Sequence, residues 1–105
     1  MKAKNESAVF SVLQDELERN RRMQSRYRLE IDQLPKGSLY LRKINHQQYY
    51  YLNYREHNKV VSKYMGKHDE PKIDEVKKRI EERKRYEGLL KKLDGEEKLL
   101  KKALR

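Results

Sequence analysis

The chain of 105 residues contains no cysteine, which excludes disulfides, thiolate metal sites and thiol nucleophiles. It has no threonine, few serines and no glycine-bracketed serine, so a hydroxyl nucleophile held beside a base has no carrier. Neither a phosphate-cradling P-loop nor a dinucleotide-binding glycine pattern occurs. Long apolar runs are also missing. The mostly apolar stretch Ala8–Leu13 is too short for a signal-peptide core, and nothing later approaches a membrane span. These absences point to a cytoplasmic protein of bacterial style that is not an enzyme, uses no cofactor and has no membrane partner. The apolar fraction is only 35% and 42% of residues are charged, against roughly 45–50% apolar in average globular chains. Such a chain supports one lean domain with a small core and long, solvated helices.

Acid is scarce in one region. The net charge is +10, but residues 36–68 hold seven cations and a single acid, whereas the flanking segments are nearly balanced. The same third holds Tyr40, Tyr49, Tyr50, Tyr51, Tyr54 and Tyr64. Charge needed only for solubility would not concentrate among aromatic rings.

Periodicity divides the chain into an N-terminal helical segment (1–35), a Tyr-rich basic segment (36–68) and a C-terminal helical segment (69–105). Phe10, Leu13, Leu17, Asn20, Gln24, Tyr27, Ile31 and Leu34 recur at helical spacing, which predicts a helix over 6–34. Ser7 or Asn5 is placed to cap it, and Leu34-Pro35-Lys36-Gly37 stops it. From Ser38 the period becomes two. SLYLRKI, QYYYLNYR and KVVSKYM, separated by NHQ and EHN, predict a three-stranded antiparallel meander. Asp69 is a candidate N-cap, with Pro71 in the first turn of a second long helix. Its stripe Ile73, Val76, Ile80 continues through Tyr86, Leu89, Leu90, Leu93, Leu100 and Leu104 with a slip near Gly88. Gly88 and Gly95 predict a bend or break there. The expected fold is α+β: long helix, three-stranded antiparallel meander, long helix. Helices of this length outrun strands of seven or eight residues. Their surplus stripes therefore pair antiparallel within the chain or meet a second copy in a homodimer.

Alternation assigns Leu39, Leu41, Tyr50, Leu52, Tyr54, Val60 and Tyr64 to the helix-covered face of the sheet. Tyr40, Arg42, Tyr49, Tyr51, Asn53, Arg55, Val61, Lys63 and Met65 fall on the other. Exposed rings beside cations bind nucleic acid by base stacking and phosphate neutralisation, and a sheet also enters duplex grooves. The candidate binding residues are Tyr40, Arg42, Lys43, Tyr49, Tyr51, Arg55, Lys59, Lys63 and Lys67. Cross-strand Tyr–Lys and Tyr–Arg packing that merely stabilises the sheet is the plain alternative. His46 and His57 fall in turns at opposite ends of the meander, and His68 brings no placed carboxylate, so no metal site is expected. The paired acids of the C-terminal helix alternate with lysines as solvated ion pairs do.

The stretch KGSLYLRKINHQQYYYLNYREHNKVVSKYMGK resembles the core of a family of small uncharacterised bacterial proteins, frequent in Firmicutes and mobile elements. Their pattern runs K-G-S-L, R-x-I, YYYL-x-YR and K-V-x-S-K-Y-x-G-K before a charged helix. Lys36 to Leu39, Arg42, Ile44, Tyr49 to Leu52, Tyr54, Arg55, Lys59, Val60, Ser62 to Tyr64, Gly66 and Lys67 match it. That family often has glycine in the two turns where His46, His57 and Asn58 stand, and the resemblance implies no activity. More distantly, G-S-x-x-x-R followed by Y-Y-x-x-Y-R is similar to the arm-binding domains of phage integrases, which lay a three-stranded sheet in DNA grooves. Three functions follow as expectations. One is an accessory protein of a mobile element that binds DNA or RNA through its sheet. A second is an inhibitor of anti-CRISPR type acting on a nucleoprotein complex such as a Cas nuclease. The third is a structural, helix-paired dimer.

Overall fold

The structure is a computed structural model and describes residues 7–105. The expected Asn5 cap and the helix start at residue 6 lie outside the described residues. Helix α1 spans Ala8–Asp32, strands β1, β2 and β3 span Ser38–Ile44, Gln47–Glu56 and Lys59–Lys67, and helix α2 spans Pro71–Ala103. The strands form one antiparallel sheet in the order β1-β2-β3, so the fold is α+β as the periodicity predicts. No helix is long and apolar enough to cross a membrane among the described residues. The chain divides into two compact units. One contains α1 with Arg85–Arg105, and the other contains Gln33–Lys84.

In the first unit the Ser7 hydroxyl accepts the Phe10 N–H at 3.4 Å, and the Ser7 carbonyl accepts the Ser11 N–H at 3.0 Å. That is N-cap geometry, and it starts α1 where the apolar stripe begins. The helix pairs antiparallel with the end of α2: Tyr27 meets Tyr86 at 5.4 Å between centroids, and Asn20 reaches Leu93. Among the described residues of this unit, Ile31 and Leu93 are the buried apolar ones, and the centre is polar. Asn20 and Gln24 are 4% and 3% exposed. Burial of unpaired amides is costly, and here both are engaged. Asn20 Nδ2 donates to the Leu93 carbonyl at 2.9 Å, and Gln24 Nε2 donates to Asn20 Oδ1 at 2.6 Å and Glu97 Oε1 at 3.1 Å. Arg21 Nε closes the network on Glu97 Oε2 at 2.9 Å. These bonds, first that from Arg21 and then that from Gln24, hold the Glu97 carboxyl below its ordinary value.

In the second unit Leu52, Ile73 and Ile80 are the buried apolar residues, and Lys77 lies over the Tyr50 ring at 4.6 Å. The first part of α2 therefore covers the sheet face that carries Tyr50 and Leu52. After α1 ends, Arg79 and Arg83 donate to the Gln33 and Leu34 carbonyls at 2.9 and 2.8 Å, satisfying backbone acceptors that the proline turn leaves outside any helix. Gly37 permits the entry into β1: its φ is +116°, and a Cβ there would overlap the Asn53 carbonyl oxygen.

Two expectations about α2 need correction. It starts at Pro71 with Glu70, not Asp69, immediately before it, and it continues unbroken through Gly88 and Gly95. The inward stripe is regular: Ile73, Val76, Ile80, Arg83, Tyr86, Leu90, Leu93, Glu97, Leu100 and Leu104 are each buried or half-buried. Leu89 is exposed. The apparent slip near Gly88 comes from omitting Arg83 and Glu97, charged residues that the fold uses inwardly. Without a break to serve, the two glycines only weaken the helix.

Urea titrations test this packing. Ile73→Ala, at a fully buried site, should lower the unfolding free energy by about 2–5 kcal/mol. Gly88→Ala and Gly95→Ala, where an added Cβ meets nothing within 4 Å, should each raise it by up to about 1 kcal/mol. Acid should loosen the helix pair. The depressed Glu97 carboxyl contributes stability that is present above the ordinary glutamate pKa and is lost as the pH falls through the lower, folded value. Thermal melts across that acid range should therefore show a shallower loss for Glu97→Gln than for the parent.

Candidate functional site

The sheet's two faces are set by its turns. Asn45 and His46 have φ of 50° and 67°, and His57 and Asn58 have φ of 51° and 65°. Positive φ at both central residues is what a two-residue type I′ hairpin turn requires, and its twist suits the flanking strands. Asn and His tolerate this region better than most residues with a Cβ. Each turn pairs the residues on either side of it, Ile44 with Gln47 and Glu56 with Lys59. Side-chain direction then follows from the period of two.

On one face the cross-strand rows are Ser38–Asn53–Ser62, Tyr40–Tyr51–Tyr64 and Arg42–Tyr49–Lys67, with Arg55 opposite Val60 beyond them. The last of the three rows depends on a bulge. Tyr51 pairs with Tyr64 but Tyr50 pairs with Gly66, so Met65 is the extra residue and Lys67, rather than Gly66, faces Tyr49. Gly66 itself sits at φ +145°. Glu70 secures this end of β3. Its Oε1 accepts the Lys67 backbone N–H at 3.0 Å, and its Oε2 pairs with Lys72 Nζ at 3.2 Å. In that order the two contacts hold its carboxyl below the ordinary value.

This placement brings together six of the predicted site residues: Tyr40, Arg42, Tyr49, Tyr51, Arg55 and Lys67. It separates the other three. Lys43 pairs with Gln48, Lys59 with Glu56 and Lys63 with Leu52, which puts all three on the helix-covered face. Lys63 lines a shallow depression there with Pro35, Lys36, Leu52 and Tyr54. The assignment of β3 is thus reversed from expectation. Val60 and Tyr64 exchange faces with Val61 and Lys63, because the turn after Glu56 holds two residues, His57 and Asn58, and not three. Counting from a two-residue loop would have exposed Tyr64 in the sequence. The assignments of β1 and β2 agree with the ladder.

The rings of this face play two parts. Tyr64 lies 6.1 Å from Tyr49 and 5.6 Å, edge-on, from Tyr51, and the Arg42 guanidinium stands 5.8 Å over the Tyr51 ring. Tyr49 and Tyr51, on the central strand, are half-buried within that cluster. Tyr40 and Tyr64, on the edge strands, are 55% and 51% exposed. Arg42, Arg55 and Lys67 are exposed as well. No carboxylate belongs to the rows of this face, and among the described residues neither Arg42 nor Arg55 forms an ion pair. His46 and His57 stand at the two ends of β2. The arrangement has the means to stack on planar groups and to neutralise anions.

Replacing His57-Asn58 by Asn-Gly should keep the register and stabilise the hairpin by up to about 1 kcal/mol, since a left-handed residue with a Cβ costs roughly 1–2 kcal/mol. Thermal denaturation would measure the gain, and unchanged tyrosine near-UV dichroism would report the preserved ring cluster.

A family model described as a domain of unknown function (DUF6788) matches residues 11–78, which include most of α1, the whole sheet and the start of α2. This fits the expectation of an uncharacterised family and does not extend to the integrase likeness. No curated protein and no solved structure matches the chain.

Proposed function

The chain belongs to this family of domains of unknown function, and from its own surface chemistry we propose that it is a non-enzymatic nucleic-acid-binding module. One observation carries the reading: exposed Tyr40 and Tyr64 share an acid-free sheet face with the exposed cations Arg42, Arg55 and Lys67. Aromatic rings next to guanidinium groups match a polymer that alternates flat bases with phosphates. Cross-strand packing accounts for the half-buried Tyr49 and Tyr51, while the edge rings Tyr40 and Tyr64 stay more than half exposed beside arginines without ion pairs among the described residues. An inhibitor of a nucleoprotein complex would contact its RNA, its DNA or an acidic protein surface, and only the first two fall under the same test.

Three cations on the face imply a log–log salt slope of about −2 to −3, at roughly 0.7–0.9 per phosphate contact. Affinity measured at several salt concentrations should show this. Arg42→Ala and Arg55→Ala should each flatten the slope by about 0.7–0.9. Lys63→Ala, on the opposite face, should leave it unchanged. Binding that is absent, independent of salt, or weakened by Lys63→Ala and not by the arginine variants would overturn the reading.

A further inference from the structure

The face is not evenly chemical along its strands, and its unevenness selects among nucleic acids. Each edge strand carries one exposed ring and, in the adjoining row, one exposed cation: Tyr40 with Arg42 on β1, and Tyr64 with Lys67 on β3. The central strand supplies the half-buried floor, Tyr51 between the two rings and Tyr49 between the two cations. The stations lie two strand spacings apart, roughly 10 Å, and ring row and cation row are separated by about 7 Å along the strands. Arg42 is held over Tyr51 and so is already drawn toward the floor.

We propose that this face takes single-stranded nucleic acid, laid across the three strands, with one unstacked base on Tyr40 and another on Tyr64. Their phosphates lie toward Arg42 and Lys67. The inference rests on the nucleic-acid reading above and narrows it. Inside a duplex both faces of every base are covered by neighbours, and only edges reach the grooves. An exposed tyrosine ring finds a base to stack on only where bases are splayed out, in single strands, loops and ends. Stacking is tolerant of base identity, because every base offers a flat face. The charge follows the same logic: two of the three cations of the face, Arg42 and Lys67, share the row beside the rings, Arg55 stands beyond the opposite row, and no carboxylate belongs to the rows of the face.

The test compares labelled oligo-uridine, oligo-thymidine and a short duplex as probes in fluorescence anisotropy, with the full chain and with Tyr40→Ala, Tyr64→Ala and the corresponding Phe variants. Dichroism and melting curves establish that each variant is folded. Single strands should bind more tightly than duplex. Each alanine variant should lose about 5- to 150-fold in single-strand affinity, and the phenylalanine variants should stay close to wild type. Comparable affinity for both single strands points to the shared base-and-phosphate chemistry, and a preference for uridine or thymidine identifies RNA or DNA as the source; either supports the proposal. Duplex binding as tight as single-strand binding, or alanine variants that bind single strands like wild type, would overturn it while the arginine-dependent salt slope kept the broader reading standing. Phenylalanine variants as impaired as the alanine ones would also overturn the stacking role. Failure to bind any of the probes would overturn both.

Discussion

Four residues held at positive φ, Asn45, His46, His57 and Asn58, govern what the sheet presents to solvent. A two-residue loop leaves no freedom in which residues face each other across a hairpin. Since successive side chains point to opposite faces, a pairing displaced by one residue would move every ring and charge of a strand to the other side. The turn at His57-Asn58 therefore decides that Tyr64 joins Tyr51 and that Lys63 joins Leu52. Left-handed backbone costs each of these residues roughly 1–2 kcal/mol, a strain that the paired strands and their covered face hold in place. The bulge at Met65 makes a second, local correction and brings Lys67 beside Tyr49.

The two compact units are held by different chemistry. In the unit of Gln33–Lys84, the buried apolar residues Leu52, Ile73 and Ile80 form the core on one side of the sheet. The opposite side is left to its tyrosine rows. In the helical unit the centre is an amide and carboxylate network in which Asn20, Gln24, Arg21 and Glu97 satisfy one another. Such bonds add little net stability compared with apolar contacts. They are directional, however, and a helix pair shifted along its axis would lose the bonds from Asn20 to the Leu93 carbonyl and from Gln24 and Arg21 to Glu97, leaving the buried Asn20 Nδ2 without its acceptor. The network thus adds a directional constraint on the register of α1 along the end of α2 to the apolar packing beside it.

The helices and strands were legible because their periods differ, and the change from 3.6 to 2 at Ser38 marks the fold class directly. The stripe of α1 was readable even through Asn20 and Gln24. That of α2 was not, because Arg83 and Glu97 look like solvated charge until their partners, the Leu34 carbonyl and Arg21 with Gln24, are in place. The site was half legible. Alternation identified Tyr40, Arg42, Tyr49, Tyr51 and Arg55 as one face, but β3 was misassigned by a single residue of loop length. Exposure was illegible for another reason. Tyr49 and Tyr51 belong to the central strand and are flanked on both sides, and only the strand order shows that the edge rings Tyr40 and Tyr64 are the more exposed ones.

The sheet also sorts its cations by type. Both strand arginines, Arg42 and Arg55, lie on the tyrosine face, whereas three of the four strand lysines, Lys43, Lys59 and Lys63, lie on the helix-covered face. A lysine ammonium is compact and strongly hydrated, so at the margins of a covered face it keeps its water and adds solubility. A guanidinium is flat and weakly hydrated, and it lies on a ring while keeping donors free in its own plane. The Arg42 guanidinium carbon stands 5.8 Å from the centre of the Tyr51 ring, within reach of its negative face. Charge alone does not call for this division, because lysine would raise the potential of the tyrosine face as well. A guanidinium attracted to a ring face favours the side of the sheet on which the ring lies. The half-buried tyrosines thus give Arg42 a ring to lie near on the face that the turns and the register assign to it.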